Sequence, residues 1–542
     1  MHIKKTFIPE YIFFVTILSF IIFVRFRFAD MAMERDEGEY AYAAAQILRG
    51  GFPYLDFYNM KLPGVYYFYA SVFFFFGKSM QAVRFCVLIL TLINGLLIKK
   101  INQHWFDERA GWLAAGVYLL ACVGTHAQGL VSNCEHFVLF FFLLTLFCLT
   151  KQAYFMAGLW AALCILMKQQ GIILLGFAFF YFWFDVRKSR KEPTTFQTYL
   201  KPFLQISSGF LGPFLLFLFF IFKKKAFPAF KFFAIDYARH YIGERKATPF
   251  NFEFFIYVGH QNDWFWKEAI LAVLVAVSYF IFKKKTHTTT AYQPIILVFL
   301  AFFSYLAVLP GWYYRPHYFL YIHPPMAMLV GYVLALFRAF CKDIALKTVY
   351  ILLLAVSVGT SIYDQFPEIG KYKNGEFINL MYGFDSFNEI REIGNVLKLN
   401  SSPSDKIGQL ANEPQLNFYA DLQAASGYLY NYPFYEKQPY SDQMLAQFFK
   451  EMETNKPRWY VKNLDDEKQF KDNQQSVKNW TNQFEKAYTL RGVVYHKNVW
   501  EKRIEWNIFK IEETHKSEAI VLIFERGDSL TIKPLLIPEK VQ

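Results

Sequence analysis

A chain of 542 residues that is 55% hydrophobic and 20% aromatic, with 64 phenylalanines, carries more apolar side chain than an ordinary soluble multidomain protein buries. Its formal charge of +13 raises nucleic acid as a partner, but the lysines and arginines sit at the ends of apolar runs, as topology signals do. The composition therefore points to an integral membrane protein in contact with lipids and excludes a nucleic-acid-binding domain.

The chain begins with a short basic stretch, Met1 to Lys5, which the positive-inside rule keeps in the cytoplasm. The apolar run Tyr11 to Val24, continued across Arg25 and Arg27 to Phe28, is long enough to cross a bilayer, since about 20 residues at 1.5 Å rise cover the hydrocarbon. It lacks a small-residue cleavage site and reads as a retained helix. An outer loop over residues 29–80 follows, opening with Asp36 and Glu37. The pattern from Tyr40 to Leu48 predicts a half-apolar helix lying on the membrane surface, ended by Gly50 and Gly51. Asp56 and Lys61 then lead into the aromatic segment Tyr66 to Phe76.

Further spans are expected at Gln81–Ile98, Gly111–Thr125, His136–Leu149, Ala153–Met167, Gly171–Phe184 and Phe203–Phe222. A loop over residues 223–267 contains an interfacial helix near PAFKFFAIDYARHYIGERK, and spans resume at Trp266–Phe282, Pro294–Pro310, Tyr318–Phe337 and Val349–Ile362. That gives about eleven spans with the C-terminus outside. The weak point is Lys223-Lys224-Lys225, which this order places on the outer side against the positive-inside rule. The six cysteines lie within or beside apolar segments and show no CxxC spacing, so they read as small packing groups.

From about Tyr363 the composition turns polar. Helices are expected at Phe387–Leu399, Gln443–Met452 and Gln469–Phe484, and strands at Lys406–Leu410, Trp459–Val461, Tyr488–Tyr495, Trp506–Ile511 and Ala519–Phe524. The expected architecture is thus a polytopic α-helical membrane domain over residues 1–362 and an extracytoplasmic α/β domain over residues 363–542.

On this topology the ionisable and polar residues near the apolar spans gather on one side: Asp36, Glu37, Lys61, His126, Gln128, Glu135, Lys168, Arg239, His240, Arg315 and His317. A charge at a helix centre costs about 2.5–3.5 kcal/mol on insertion scales, so this asymmetry predicts a polar cavity opening outward. For Arg25, Arg27, Lys78 and Arg84, snorkelling to headgroups is an equal reading.

Asp36-Glu37, the helix ending in Arg49-Gly50-Gly51, Pro53-Tyr54-x-Asp56, Lys61-x-Pro63, Phe76-Gly77 and Arg84 together resemble the first extracytoplasmic loop of GT-C superfamily membrane glycosyltransferases. The bacterial aminoarabinose transferases, relatives of the protein O-mannosyltransferases, are the nearest likeness. The resemblance implies a GT-C fold in a bacterial inner membrane and an inverting enzyme that takes sugar from an undecaprenyl (polyprenyl) phosphate. The acceptor would be a lipid, a glycan or a protein.

In such chemistry phosphate leaves readily if cations meet its charge, so one carboxylate base suffices. Asp36 is the candidate base. Glu37 would orient the acceptor or place Asp36, or merely serve the helix dipole. The resemblance assigns Lys61 to the donor phosphate, a headgroup contact being the alternative. It adds Arg315 and His317 as further phosphate contacts, with Tyr313 and Tyr314 lining the site. Tyr40, Glu135, Lys168 and His240 complete the candidate cavity, although Glu135 and Lys168 equally suit pairing between helices. His323 reads as an interior histidine. Met60 stands where aminoarabinose relatives carry a carboxylate able to hold a metal, and the first loop has no Asp-x-Asp, so catalysis without metal or other cofactor is expected. The polar C-terminal part, with Asn412-Glu413-Pro414, would be a lid, an acceptor-binding module or structural support. A transporter or flippase of polyprenyl-linked glycans is the alternative, disfavoured because the charges collect at one interface.

Overall fold

A computed structural model describes residues 8–125, 127–188, 196–243, 293–340, 344–345, 347–352, 354–355, 369–383, 385–527 and 534–537. His126, the span expected at Trp266–Phe282 and most of the one at Val349–Ile362 fall outside the described residues.

The helical part opens with α1 (Ile8–Arg27), whose 20 residues rise about 30 Å, the depth of a bilayer's hydrocarbon. Then come α2 (Arg35–Leu48), α3 (Gly64–Phe76), α4 (Met80–Trp105), α5 (Glu108–Ala121), α6 (Cys134–Thr150), α7 (Tyr154–Met167), α8 (Gly171–Lys188) and α9 (Phe196–Lys223). A continuous helical stretch follows, α10 (Phe227–Lys231), a π segment (Phe232–Tyr237) and α11 (Ala238–Gly243), and later α12 (Gln293–Val308) and α13 (His323–Phe340). Among the described residues, four helices are long and apolar enough to cross a membrane: Pro9–Arg27, Met80–Trp105, Tyr199–Lys223 and Pro316–Arg338. Cys134–Thr150, Tyr154–Met167 and Ile295–Val308 are apolar but shorter.

The last of the four begins as a 3-10 helix, Pro316–Ile322, and turns α-helical only at His323. Pro324 and Pro325 explain the change, since residues without an N–H fit a helix's first turn and not its interior. His323 therefore opens the α-helix, and its side chain is buried.

The C-terminal part is a six-stranded mixed sheet in the order β2-β1-β3-β6-β4-β5, formed by β1 (Lys406–Leu410), β2 (Gln423–Ala424), β3 (Trp459–Asn463), β4 (Tyr488–His496), β5 (Lys502–Trp506) and β6 (Ala519–Arg526). β1 runs parallel to β2 and β3, and the remaining pairs are antiparallel. The strand expected at Trp506–Ile511 instead ends where that reading began it. Asn507 takes a left-handed backbone, φ +57°, and its N–H bonds the Arg491 carbonyl at 2.8 Å, which turns the chain off the sheet edge. The helix expected from Gln469 begins at Gln474.

The sheet region does not stand apart from the bundle. One apolar core joins Phe52, Tyr54 and Leu62 of the first loop with Ile221, Phe230, Phe233 and Tyr237 and with Leu410, Tyr428, Phe434 and Phe448. Tyr58 stacks on Phe233 at 4.9 Å. The end of α9 therefore lies on the same side as the first loop, and Lys223–Lys225 sit there too, with the Lys224 ammonium 5.9 Å from the Phe52 ring.

The helix expected on the membrane surface is not a surface helix. Residues 37–46 of α2 are all buried, because α3 packs on one side of the helix and the helix Gln415–Ala420 lies across another. Gly38 permits the contact: a Cβ there would come within 2.4 Å of the Gln415 side chain. The Ala424 N–H also donates to the Tyr42 hydroxyl at 2.8 Å, and the Met33 N–H to that of Tyr419 at 2.8 Å.

Candidate functional site

The Glu34 carboxylate caps α2 by accepting from the Asp36 and Glu37 amides at 2.9 and 2.7 Å. Gly50, at φ +93°, stops the helix after Leu48. The chain then folds into a tight turn in which Asp56 accepts from the Phe52 amide at 2.6 Å. The Tyr54 hydroxyl donates to the Lys61 carbonyl at 2.8 Å, and the Lys61 amide to Asn59 at 3.2 Å. These bonds hold the Lys61 backbone over the first turns of α2.

The Lys61 ammonium sits between two carboxylates, 2.8 Å from Asp36 Oδ1 and 2.6 Å from Glu39 Oε2, and 4.7 Å from the Tyr40 ring centre. Asp36 and Lys61 are partly open, with side chains 24% and 13% exposed, whereas Glu39 is fully enclosed and also accepts from the Tyr66 hydroxyl. Burial pushes the Asp36 carboxyl up, but Lys61, His317 and Lys168 outweigh it and hold the group below the usual carboxylate range. Burial prevails over Lys61 at Glu39, which is raised. Lys61 itself would lose its proton more readily on burial, yet the two carboxylates raise it above an ordinary lysine.

Glu37 lies elsewhere. It forms a fully buried pair with Arg84, 2.5 and 3.1 Å, and accepts the Ser132 amide at 2.8 Å. Asp36 and Glu39, three positions apart, share a helix face, while Glu37 is turned about 100° from Asp36. The carboxylate that accompanies Asp36 on Lys61 is therefore Glu39, and the i, i+3 spacing in the sequence was the signal that could have found it.

Of the four cations with a snorkelling alternative, Arg25 and Arg84 are buried and do not reach outward, whereas Arg27 and Lys78 are exposed and keep that alternative. Arg84 donates also to the Ala29 and Met31 carbonyls, Arg25 to those of Gly129 and Leu130, Arg27 to those of Ile369 and Tyr372, and Lys78 pairs with Asp421.

Around the Asp36–Lys61 pair, Lys168 holds Glu135 at 2.5 Å and lies 4.4 Å from the Tyr318 ring. The His317 Nδ1 is 3.1 Å from Gln128 Oε1. Arg315 is exposed, stands 5.6 Å from the Tyr313 ring and feels the charge of Asp36. Its loop carries left-handed backbone at Gly311, Trp312 and Tyr314. Tyr313 stacks on Tyr241 at 4.7 Å, whereas His240 lies against Tyr440, 5.5 Å between ring centres.

Two contributions from the C-terminal part were not foreseen. The Tyr430 hydroxyl approaches Asp36 Oδ1 at 3.3 Å. Arg35, next to Asp36, pairs with Asp385 at 2.8 Å and Glu413 at 3.1 Å. Among the described residues, no three His, Cys, Asp or Glu side chains converge as metal ligands would.

The arrangement offers a partly open carboxylate beside a cation, with further cations and tyrosines within electrostatic reach, at the junction of a helical bundle and an α/β module. Residues 61–208 match the family described as dolichyl-phosphate-mannose-protein mannosyltransferase. Curated proteins give no match by sequence. By structure the chain is similar to ArnT from Cupriavidus metallidurans bound to undecaprenyl phosphate, with 13% identity, a TM-score of 0.55 and coverage of 95% of this chain and 97% of that one. The apo state of that protein gives 13% identity and the same TM-score over 96% and 98%. The apo oligosaccharyltransferase from Archaeoglobus fulgidus gives 11% identity and a TM-score of 0.50 over 92% of this chain and 75% of that one. The architecture, together with the match at residues 61–208, gives this chain the fold of the GT-C superfamily of membrane glycosyltransferases.

Proposed function

We propose that this chain is an inverting glycosyltransferase that moves a sugar from a polyprenyl-phosphate donor to a lipid, glycan or protein acceptor on the outer face of a bacterial inner membrane. The observation that carries the reading is the 2.8 Å pair between Asp36 and Lys61, both partly open. A carboxylate able to take a proton stands beside a cation able to meet a phosphate. That the similar ArnT structure holds undecaprenyl phosphate supports a polyprenyl-phosphate donor here.

In the reaction, Asp36 accepts the proton of the acceptor hydroxyl as that oxygen attacks the anomeric carbon. The bond from that carbon to the phosphate oxygen breaks, and the phosphate leaves with the electron pair. Attack opposite the leaving group inverts the anomeric centre. Lys61 and Arg315 meet the charge that grows on the departing phosphate, and His317 adds a hydrogen bond from its ring. Cations already in place when that charge develops lower the barrier without any rearrangement, and on this reading the reaction runs without a metal.

The test is Asp36→Asn, assayed by comparing extracted glycolipids and surface glycans of cells carrying the variant, the unaltered protein or neither. The product disappears in the variant while expression and undecaprenyl phosphate binding persist. Product at the unaltered level removes Asp36 as the base. Activity that falls on chelation and returns with a divalent ion overturns the metal-free step.

A further inference from the structure

Two carboxylates compete for one ammonium at Lys61, and their surroundings differ. Glu39 is fully enclosed, with Lys61 on one oxygen and the Tyr66 hydroxyl on the other. Without Lys61 it would be a buried charge supported by a single hydroxyl, an expensive state. Asp36 has a quarter of its side chain open to solvent and the Tyr430 hydroxyl 3.3 Å from the same oxygen that Lys61 contacts. Two of the three N–H donors of Lys61 go to Asp36 and Glu39 and the Tyr40 ring lies 4.7 Å away, so a phosphate drawn to the ammonium adds negative charge beside both carboxylates, and the one that can turn away to solvent is Asp36.

We propose that Glu39 is a positioning residue that keeps Lys61 when a lipid phosphate arrives, so that the ammonium exchanges Asp36 for phosphate and frees Asp36 to act as the base. This rests on the donor reading above and deepens it. In the free protein Asp36 is occupied by Lys61 and is a poor base. Once the donor phosphate has taken that ammonium, Asp36 has a stronger pull on a proton, and transfer becomes possible only with the donor in place. Early deprotonation of an acceptor, or of water, is thereby suppressed. The charged and titratable groups facing Asp36 are Lys61 and Tyr430 in contact, Glu34, Glu39 and Tyr40 on its own segment, and Lys168, His317, Arg315, Cys134, Tyr382 and Tyr432 farther off. Of these, Lys61 alone donates to it from a side chain within 3 Å among the described residues.

The experiment uses the full chain in phosphatidylcholine nanodiscs, with undecaprenyl phosphate as the probe, read by binding and by infrared difference spectra across a pH series. Adding the lipid to the unaltered protein brings up the carboxylic C=O band of one protonated carboxyl at a higher pH than in the lipid-free protein. Asp36→Asn lacks that band and binds the lipid about tenfold tighter, since the competitor for Lys61 is gone. Glu39→Gln suppresses the band, because a Lys61 without its buried anchor bridges Asp36 and the phosphate, and Glu39→Asp restores part of it. Lipid binding without the band overturns the exchange, as does equal or weaker binding by Asp36→Asn. A band unchanged in Glu39→Gln overturns the part given to Glu39. If the unaltered protein does not bind undecaprenyl phosphate at all, the donor reading falls and this proposal falls with it.

Discussion

Replacing Lys61 by methionine separates what this side chain does for folding from what it does for transfer. Methionine keeps the length of the stem and removes the ammonium, so Asp36 and Glu39 lose hydrogen bonds of 2.8 and 2.6 Å at once. Asp36 can turn to water and Tyr430, but Glu39 has no exposed surface, and breaking one side of a buried pair costs about 3–5 kcal/mol. Lys61→Met is therefore destabilised on that scale. The double variant Lys61→Met/Glu39→Gln no longer buries a bare charge, and it recovers most of the loss, leaving about 1 kcal/mol for the hydrogen bonds not replaced. Transfer behaves differently. A donor aimed at the departing phosphate contributes about 10²–10³ in rate, so both variants lose activity by that factor per folded molecule. Thermal unfolding in detergent and envelope glycan output, normalised to folded protein, read the two effects. A double variant that regains transfer along with stability would refute the argument, because Lys61 would then serve only as a counter-ion.

Further expectations rest on other contacts. Glu37→Gln leaves Arg84 without its buried partner and lowers thermal stability by about 3 kcal/mol, but the variant keeps transfer per folded molecule; a well-folded, inactive protein would return Glu37 to the reacting groups. Gly38→Ala drives a methyl into the Gln415 backbone and side chain and costs about 1–3 kcal/mol, read as faster proteolysis between bundle and sheet, and an unchanged digestion pattern would show that α2 tolerates the separation. Glu413 is enclosed, and burial, more than Arg35 can offset, pushes its carboxyl up to about 7. The folded state thus binds this proton more tightly than the unfolded chain, so stability is highest below about pH 4 for this group and falls as pH rises toward 7. Glu413→Gln flattens the melting temperature between pH 5 and 8, and a slope equal to that of the unaltered protein would assign the dependence to other groups.

Much of the fold is legible because it is local. The helix Phe387–Leu399 and the strand Lys406–Leu410 appear where the periodicity places them, since an amphipathic pattern and a short β-branched or apolar run each need only one covering face. The edge strand β5, KRIEW, is another matter. Its charges outnumber its apolar residues, and only pairing with β4 makes it a strand, with Ile504 and Trp506 turned to the core. The stretch after it has the apolar residues without the neighbour, and Phe509 stays exposed.

The candidate site divides in the same way. The sequence by itself determined which chemistry was available: a carboxylate at a helix start, a glycine stop, and a lysine held before a proline, all within about thirty residues, where spacing along the chain limits distance in space. The tertiary structure alone decided who pairs with whom. Glu37 faces Arg84 and Glu39 faces Lys61 because α2 is clamped between the bundle and the helix Gln415–Ala420, and that clamp depends on contacts nearly four hundred residues apart. A buried charge is fixed by whatever surrounds it from every direction, and most of those directions belong to segments far away in sequence.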